Sequence, residues 1–348
     1  MKKSVFIFII LILPMSFCLA DDTNSIGAIA RAKGIDFGFA VNYDSLKNNK
    51  EYQSIIKKQA TIIVPMNELK WSNVHPKKEV YDFKKSDYII NFAINNNLKI
   101  RGHTLVWHNR IPDYVQNEKN KQQVEKIFYN HIYTVVSRYK NKISSWDVVN
   151  EVINPADNQP NGLRNSYWYK MFGEQYIDIA FQQAHKADPK AVLLYNEWGV
   201  EYDTKWSETK REFVISLIKR LKSKNIPIDG FGIQSHISTQ NINFVNSKLI
   251  NFINDLNNLG LKVYITELDV TKSENEIEKS SNFTIENTYK KYLDIVLSNK
   301  KINTIIIWGV YNHEDNNKLN LNHFPQVLFN KKNINSKNFN AVEESIAD

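Results

Sequence analysis

Trp146-Asp147-Val148-Val149-Asn150-Glu151 and Ile265-Thr266-Glu267-Leu268-Asp269 are the stretches on which the fold of this chain turns. Each places a carboxylate at the end of a β-branched, apolar run, and runs of that length and composition read as buried strands. A single glutamate there is ordinarily a polar residue at the rim of a core. Two of them, at the same place on two strands, describe a paired-carboxylate site wherever the strand ends converge.

Working outward, six further runs have the same character: Gly34 to Val41, Ala60 to Met66, Leu98 to Val106, Ala191 to Tyr195, Gly230 to Gln234 and Asn303 to Trp308. With Ser144 to Asn150 and Leu261 to Glu267 they make eight, beginning 26 to 47 residues apart. Each interval has room for a crossover helix. Helical periodicity is clearest at Ser207 to Lys224, where Phe213, Ile215, Leu217, Ile218 and Leu221 alternate with charges before Asn225 and Pro227. Glu174 to His185, closed by Asp188-Pro189, and Leu249 to Leu259, leading through Gly260, read the same way. Asn- and Lys-rich segments at 46–50, 117–121, 239–246 and 315–322 read as loops. Neither an internal repeat nor a Pro/Ser linker divides the chain. The expectation is an α/β fold, a (β/α)₈ TIM barrel, occupying residues 21–348 as one domain.

Residues 1–20 stand apart: Lys2 and Lys3, a mostly apolar run from Ser4 to Met15, then Ser16 to Ala20 before Asp21-Asp22. That order predicts a signal peptide cleaved after Ala20, and a secreted or periplasmic location. The competing reading is a membrane anchor, but the run is shorter than the roughly 20 residues needed to span. Cleavage removes Cys18, the only cysteine, so no disulfide or cysteine nucleophile is expected. It also lowers the formal charge from +8 to +6, the loss being Lys2 and Lys3. The remaining lysines are scattered rather than gathered in a stripe, which argues against a nucleic-acid groove. No membrane contact is expected of the mature protein, and a monomer is expected.

Paired carboxylates suit glycosidic bond cleavage without a cofactor or metal, one donating a proton while the other attacks or activates water. A separation of about 5–5.5 Å permits a covalent intermediate. His236, after Gly230 to Ser235, and Asp269, two residues past Glu267, stand close enough in the barrel mouth to support Glu267 as an ionised nucleophile. Glu151, preceded by Asn150, then retains the proton it needs beside a second negative carboxylate. Arg101 to His108 carries His103, Trp107 and His108; with His236 these histidines suggest zinc as a competing reading. Trp107 between them, and the lack of H-x-H or H-E-x-x-H spacing, favour sugar stacking and hydrogen bonding instead. Asn67 and Lys70-Trp71 add donors beside an aromatic platform, the structural alternative being a helix start with the indole packed in the outer layer.

With these residues in view, the chain resembles glycoside hydrolase family 10, the (β/α)₈ endo-xylanases, from about Phe37 to Phe329. The resemblance implies Glu151 as acid/base and Asn150 as a donor to the sugar 2-hydroxyl. It implies Glu267 as nucleophile, supported by Gln234 and His236 with Asp269 behind the histidine. His103 and Trp107 would line the site, Asn67 and Lys70 would contact the sugar on the non-reducing side, and Trp308 of Trp308-Gly309-Val310 would floor the ring at the cleavage point. The implied activity is a retaining endo-β-1,4-glycanase acting on xylan, with a polysaccharide as its partner. The alternatives are a hydrolase of a related or acidic β-glycan, and a non-catalytic carbohydrate-binding protein on the same scaffold.

Departures from the family pattern gather on the glycone side. Met66 replaces a glutamate, Arg110 a glutamine, and Tyr195-Asn196-Glu197-Trp198-Gly199 loses its last amide. Tyr311-Asn312 replaces Thr-Asp, and no tryptophan occurs from His313 to Phe324. Each lost contact weakens the grip on a plain xylose ring. Arg110 adds a guanidinium that suits a uronic-acid carboxylate, unless a neighbouring acid pairs with it.

Overall fold

A computed structural model of the chain describes residues 25–272, 284–312, 325–329 and 336–348. The expected leader at 1–20 and the loop expected at 315–322 lie outside the described residues. Eight parallel strands pair in chain order: β1 (Asp36–Val41), β2 (Ile62–Pro65), β3 (Lys99–Gly102), β4 (Ser145–Asn150), β5 (Val192–Glu197), β6 (Gly230–Ile233), β7 (Lys262–Thr271) and β8 (Thr304–Ile307). β8 pairs with both β7 and β1, so the sheet closes into the expected (β/α)₈ barrel. Around it run α1 (Lys50–Gln59), α2 (Lys84–Asn95), α3 (Lys121–Arg138), α4 (Gln175–Ala187), α5 (Lys205–Ser223), α6 (Ser247–Asn258), α7 (Ile285–Leu297) and α8 (Lys337–Ala347).

Strand periodicity explains the layering. Ala40, Ile62, Val64 and Ile306 form a small cluster inside the barrel, joined by Met66 and Trp308. Their neighbours Phe37, Phe39, Val41, Ile63, Ile305 and Ile307 belong to the larger core shared with the helices. Gly38 is required at the β1–β2 contact, since a Cβ there would stand 1.6 Å from the Ile62 carbonyl oxygen.

Several boundaries differ from the sequence expectation for local reasons. α5 starts two residues early because Thr204 caps it, accepting from the Ser207 amide. Asn246 caps α6 by accepting from Lys248. The run expected as one strand from Leu98 to Val106 stops at Gly102 and resumes only at Val106–Trp107. β7 continues past Glu267 to Thr271, its extension pairing with a short strand at His236–Ser238. The segments at 46–50 and 239–246, expected as loops, are largely helical: Tyr43–Asn48 and α1 meet at Asn49, and a 3-10 helix spans Thr239–Phe244.

Of the two readings of Trp71, the structure bears out the helix start with its indole in the outer layer. Rather than forming a sugar platform, it is buried in the outer layer, stacked 3.6 Å from the His131 ring centroid and 4.9 Å from that of Trp168. His131 in turn lies Nδ1 to Nδ1 with His75 at 3.4 Å, both buried. Burial holds His75 down at about 4, and burial with the neighbouring His75 holds His131 well below its usual range. This stack lies directly behind Lys70 in the chain, so its integrity bears on the cleft.

An unfolded chain binds protons at these imidazoles near pH 6.5, whereas the folded one does not. Their contribution to stability is therefore complete above about 6.5 and is lost as the pH falls below it, for His75 down to about 4. His131→Phe is expected to flatten the fall in urea midpoint between pH 6.5 and 4.5, measured against the parent chain.

Candidate active site

Glu151 follows the last residue of β4 in a left-handed conformation, φ 57°. A non-glycine residue there is strained, and the turn carries its side chain over the barrel mouth. Its amide donates to the Asn196 carbonyl at 2.9 Å, and its own carbonyl accepts from Arg164 Nε at 2.8 Å. Glu151 Oε2 accepts from Trp107 Nε1 at 2.9 Å, while Oε1 accepts from Gln234 Nε2 at 3.1 Å and Asn150 Nδ2 at 3.3 Å.

Glu267 lies within β7 and is buried. Its Oε1 accepts from Asn196 Nδ2 at 2.7 Å, and its Oε2 lies 3.3 Å from His236 Nε2. His236 Nδ1 reaches Asp269 Oδ2 at 2.9 Å, so one imidazole bridges two carboxylates. Burial would lower the His236 pKa, but Asp269 and then Glu267 raise it well above its usual range. Burial likewise pushes Glu267 up. The bond to His236 and the positive charge of His103, His236 and Arg101 overcome that, holding Glu267 at about 2. Asp269, buried behind the histidine, is raised by burial and partly brought back by His236.

The two glutamates are joined through amides. Asn196 Nδ2 donates both to Glu267 Oε1 and to Asn150 Oδ1, at 2.7 and 2.9 Å, and Asn196 Oδ1 accepts from Thr266 Oγ1 at 2.7 Å. Space for this amide comes from Gly232 on β6, where a Cβ would lie 2.3 Å from Asn196 Oδ1. Gln234 differs from its expected place: its side chain donates to Glu151 and Asn150, and only its backbone carbonyl serves Glu267, accepting the Glu267 amide at 2.9 Å.

Beneath the carboxylates, Arg101 and Asp147 form a fully buried ion pair. His103 Nδ1 meets the same Asp147 oxygen at 2.7 Å and stands 3.9 Å from Glu267 Oε1. His103, Asp147 and Glu267 offer donor atoms within 4.8 Å of one another. The Arg101 guanidinium already balances the Asp147 charge in this group, a place that a metal ion would contest. The zinc set suggested by the histidines is not assembled: His108 Nδ1 approaches Glu151 Oε2 at 3.7 Å, while His236 is engaged by Asp269.

On the β2 side of the mouth, Lys70 Nζ donates to Asn67 Oδ1 at 2.9 Å and sits 5.3 Å from the Trp107 ring centroid. Burial lowers the Lys70 pKa; Glu267 opposes this and Arg110 reinforces it, so the Arg110 charge is felt in the cleft. Arg110 is exposed and has no ion pair among the described residues. Trp308 meets His103 edge to face at 5.2 Å. A cavity of about 410 Å³ lies beside Met66, Trp308 and Asn312. The segment His313 to Phe324, notable for lacking a tryptophan, is outside the described residues.

Three groups were missed as site residues. Asn196 follows the apolar run Ala191 to Tyr195 as Asn150 ends its own, the two being register partners on β5 and β4, and that shared position was the available signal. Arg164, in the β4–α4 connection, had none. Lys210 and Glu197 form a fully buried ion pair of 2.8 Å, with Lys210 Nζ 4.4 Å from the ring centroid of the exposed Trp198. A helix lysine gives no sign in sequence that it points inward.

Removing the histidine's partner should unsettle Glu267. In Asp269→Asn, His236 loses its main source of positive charge, and the Glu267 carboxyl should titrate nearer the ordinary carboxylate range. Asn196→Asp should act in the same direction, replacing a donor with a like charge. Carbon-detected NMR titration of Glu267, with the parent near 2, measures both.

The profile of Glycosyl hydrolase family 10 matches residues 25–345. Endo-1,4-beta-xylanase B of Thermotoga neapolitana is 33% identical over 295 residues, covering 81% of this chain and 79% of that protein. The beta-1,4-xylanase of Dictyoglomus thermophilum is 37% identical over 274 residues, 76% of this chain and 74% of its own. Among solved structures, native xylanase 10B from Thermotoga maritima superposes with a TM-score of 0.80 at 31% identity, covering 92% of this chain and 98% of that one. A match over nearly the whole described barrel, with the glutamates of β4 and β7 brought to one mouth, has one conclusion: the chain belongs to glycosyl hydrolase family 10.

Proposed function

We propose that this chain is an endo-β-1,4-xylanase that hydrolyses internal bonds of xylan with retention, Glu151 serving as acid/base and Glu267 as nucleophile. The observation that carries the reading is the joining of the two carboxylates through Asn150 and Asn196, with Glu267 held ionised by His236. In the first step Glu267 forms a bond to the anomeric carbon while the glycosidic C–O bond breaks and Glu151 gives its proton to the departing oxygen. In the second, Glu151 takes a proton from water, the oxygen bonds to the anomeric carbon, and Glu267 leaves. Trp107 steadies the Glu151 carboxylate; Trp308 and His103 offer a wall for the ring at the cleavage point, and Asn67 and Lys70 offer polar contacts beyond it.

The names of the relatives support xylan as the substrate, as does a neighbouring structure described as xylanase 10B from Thermotoga petrophila in complex with xylobiose. Secretion or periplasmic export is proposed on the leader at residues 1–20 alone. No helix among the described residues is long and apolar enough to cross a membrane.

Incubation with an aryl 2-deoxy-2-fluoro-β-xylobioside is expected to leave a covalent label on Glu267, found by peptide mass spectrometry. Glu267→Ala should show neither label nor turnover of xylan, and Glu151→Ala should lose about 10²–10⁴-fold in kcat. Absence of label together with no hydrolysis of any xylan would overturn the assignment.

Arg110, exposed and without an ion pair among the described residues, supports a second, narrower reading: an acidic substituent on the glycan is attracted at the glycone side. Arg110→Gln should lower the rate on glucuronoxylan relative to neutral arabinoxylan by about two- to fivefold, the size of an exposed ion pair. Equal ratios in the two proteins would remove the idea.

A further inference from the structure

Glu197 ends β5, one residue after Asn196, and its side chain is wholly buried. A carboxylate has about four acceptor directions, and here each meets a donor or a cation. Oε1 accepts from the Trp198 amide at 3.1 Å and faces the Lys210 ammonium at 2.8 Å. Oε2 accepts from the Tyr195 hydroxyl at 2.6 Å and from the Ile153 amide at 3.1 Å. Burial, and then the Glu197 charge, drive the Tyr195 hydroxyl well above its usual range, so it stays a donor. Lys210, on α5, makes no other ion pair among the described residues. Its ammonium is otherwise walled by the indoles of Trp198 and Trp206, whose ring centroids lie 4.4 and 5.0 Å away.

The Ile153 amide links this pair to the chemistry. Ile153 stands two residues beyond Glu151, whose φ of 57° is a conformation that a non-glycine residue keeps only where its surroundings enforce it. Adjacent residues of β5 grip the turn on either side. The Asn196 carbonyl accepts the Glu151 amide at 2.9 Å, and the Glu197 carboxylate accepts the Ile153 amide. Arg164 ties the outgoing chain, its amide donating to the Val152 carbonyl at 2.7 Å and its Nε to the Glu151 carbonyl at 2.8 Å. Of these holds, only that of Glu197 depends on an ionised carboxylate, and a single lysine on another element balances its charge.

We propose that Glu197 and Lys210 are positioning residues for Glu151. The ionised pair fixes the Ile153 amide, and with it the turn that brings the Glu151 carboxyl to the Trp107 indole and to a departing oxygen. Through the contacts from Lys210 to Glu197 to Ile153, α5 on the outside of the barrel sets the aim of the proton donor in its mouth. A glutamine at position 197 cannot replace the carboxylate. Whichever way its amide is turned, the NH₂ group faces either the Ile153 N–H or the Trp198 N–H with Lys210.

The inference deepens the xylanase reading and rests on it, so one readout needs turnover and the other does not. The variants are Glu197→Gln and the doubly neutral Glu197→Gln/Lys210→Met, which leaves no buried cation unpaired should the first fail to fold. Nitrogen-proton NMR follows the Trp107 indole resonance, assigned by its loss in Trp107→Phe. Kinetics compares kcat/KM, which reports the first bond cleavage, for phenyl and 2,4-dinitrophenyl β-xylobiosides; dinitrophenolate departs without a proton donor. Both variants should move the indole resonance and lose about 10- to 100-fold on the phenyl substrate, the scale of a misplacement of about 1 Å, but less than about twofold on the dinitrophenyl one. Equal losses on the two substrates, or none on either, overturn the positioning role and leave the xylanase reading intact. A parent chain that cleaves neither xylobioside nor xylan overturns the xylanase reading; the indole then decides the pair alone, and an unmoved resonance overturns it.

Discussion

The Asn196 amide is the interaction on which the rest of the site depends. It donates to Glu267 and Asn150 and accepts from Thr266, so a single planar group ties β4, β5 and β7 together at the barrel mouth. Because every polar atom of that amide is used, it cannot rotate without leaving a buried group unsatisfied, at a cost of about 1–3 kcal/mol. The spacing of the two carboxylates is thereby set by the sheet rather than by loops. Gly232 is part of the same device, since any side chain there would occupy the place of the amide oxygen.

Around this amide, three buried carboxylates have cationic or imidazole partners. Asp147 is held by Arg101 and His103, Glu197 by Lys210, and Glu267 by His236 with Asp269 behind it. Breaking such a pair by deleting one partner is costly because the other is left uncompensated in a medium that screens poorly. The consequence for chemistry is an asymmetry between the two glutamates. Glu267 faces positive neighbours from below, whereas Glu151 is held by the neutral indole of Trp107 and the amides of Gln234 and Asn150. A pair of carboxylates in different surroundings is what divides an acid from a nucleophile.

Much of this was legible before folding. The eight β-branched runs identify the strands, and the same runs identify Glu151 and Glu267, because a strand that ends at a barrel mouth must end in polar residues if it is to meet solvent or ligand. His236 and Asp269 were legible through their place just past strands β6 and within β7. What failed did so for particular reasons. Trp71 reads equally as a sugar platform beside Lys70 and as an indole packed in the outer layer, and only the His131 stack decides for the second. Gln234 reads as support for Glu267 by its nearness to His236, yet β6 ends at Ile233 and the chain turns at Ser235, φ 67°, so the two side chains part and the Gln234 amide reaches Glu151. Lys210 lies on an amphipathic helix, where a lysine is ordinarily solvated.

What the sequence determined by itself is therefore the barrel, the strands that bear the carboxylates, and the chemical types available at its mouth. Those follow from local pattern: side-chain period, strand spacing and the polar residue that closes each run. Which amide joins which carboxylate, and where the Gln234 amide and the Lys210 ammonium point, were decided only by the tertiary structure. Hydrogen bonds and charge effects act over a few ångströms in space, and here they connect residues as far apart in the chain as Arg101 and Thr266.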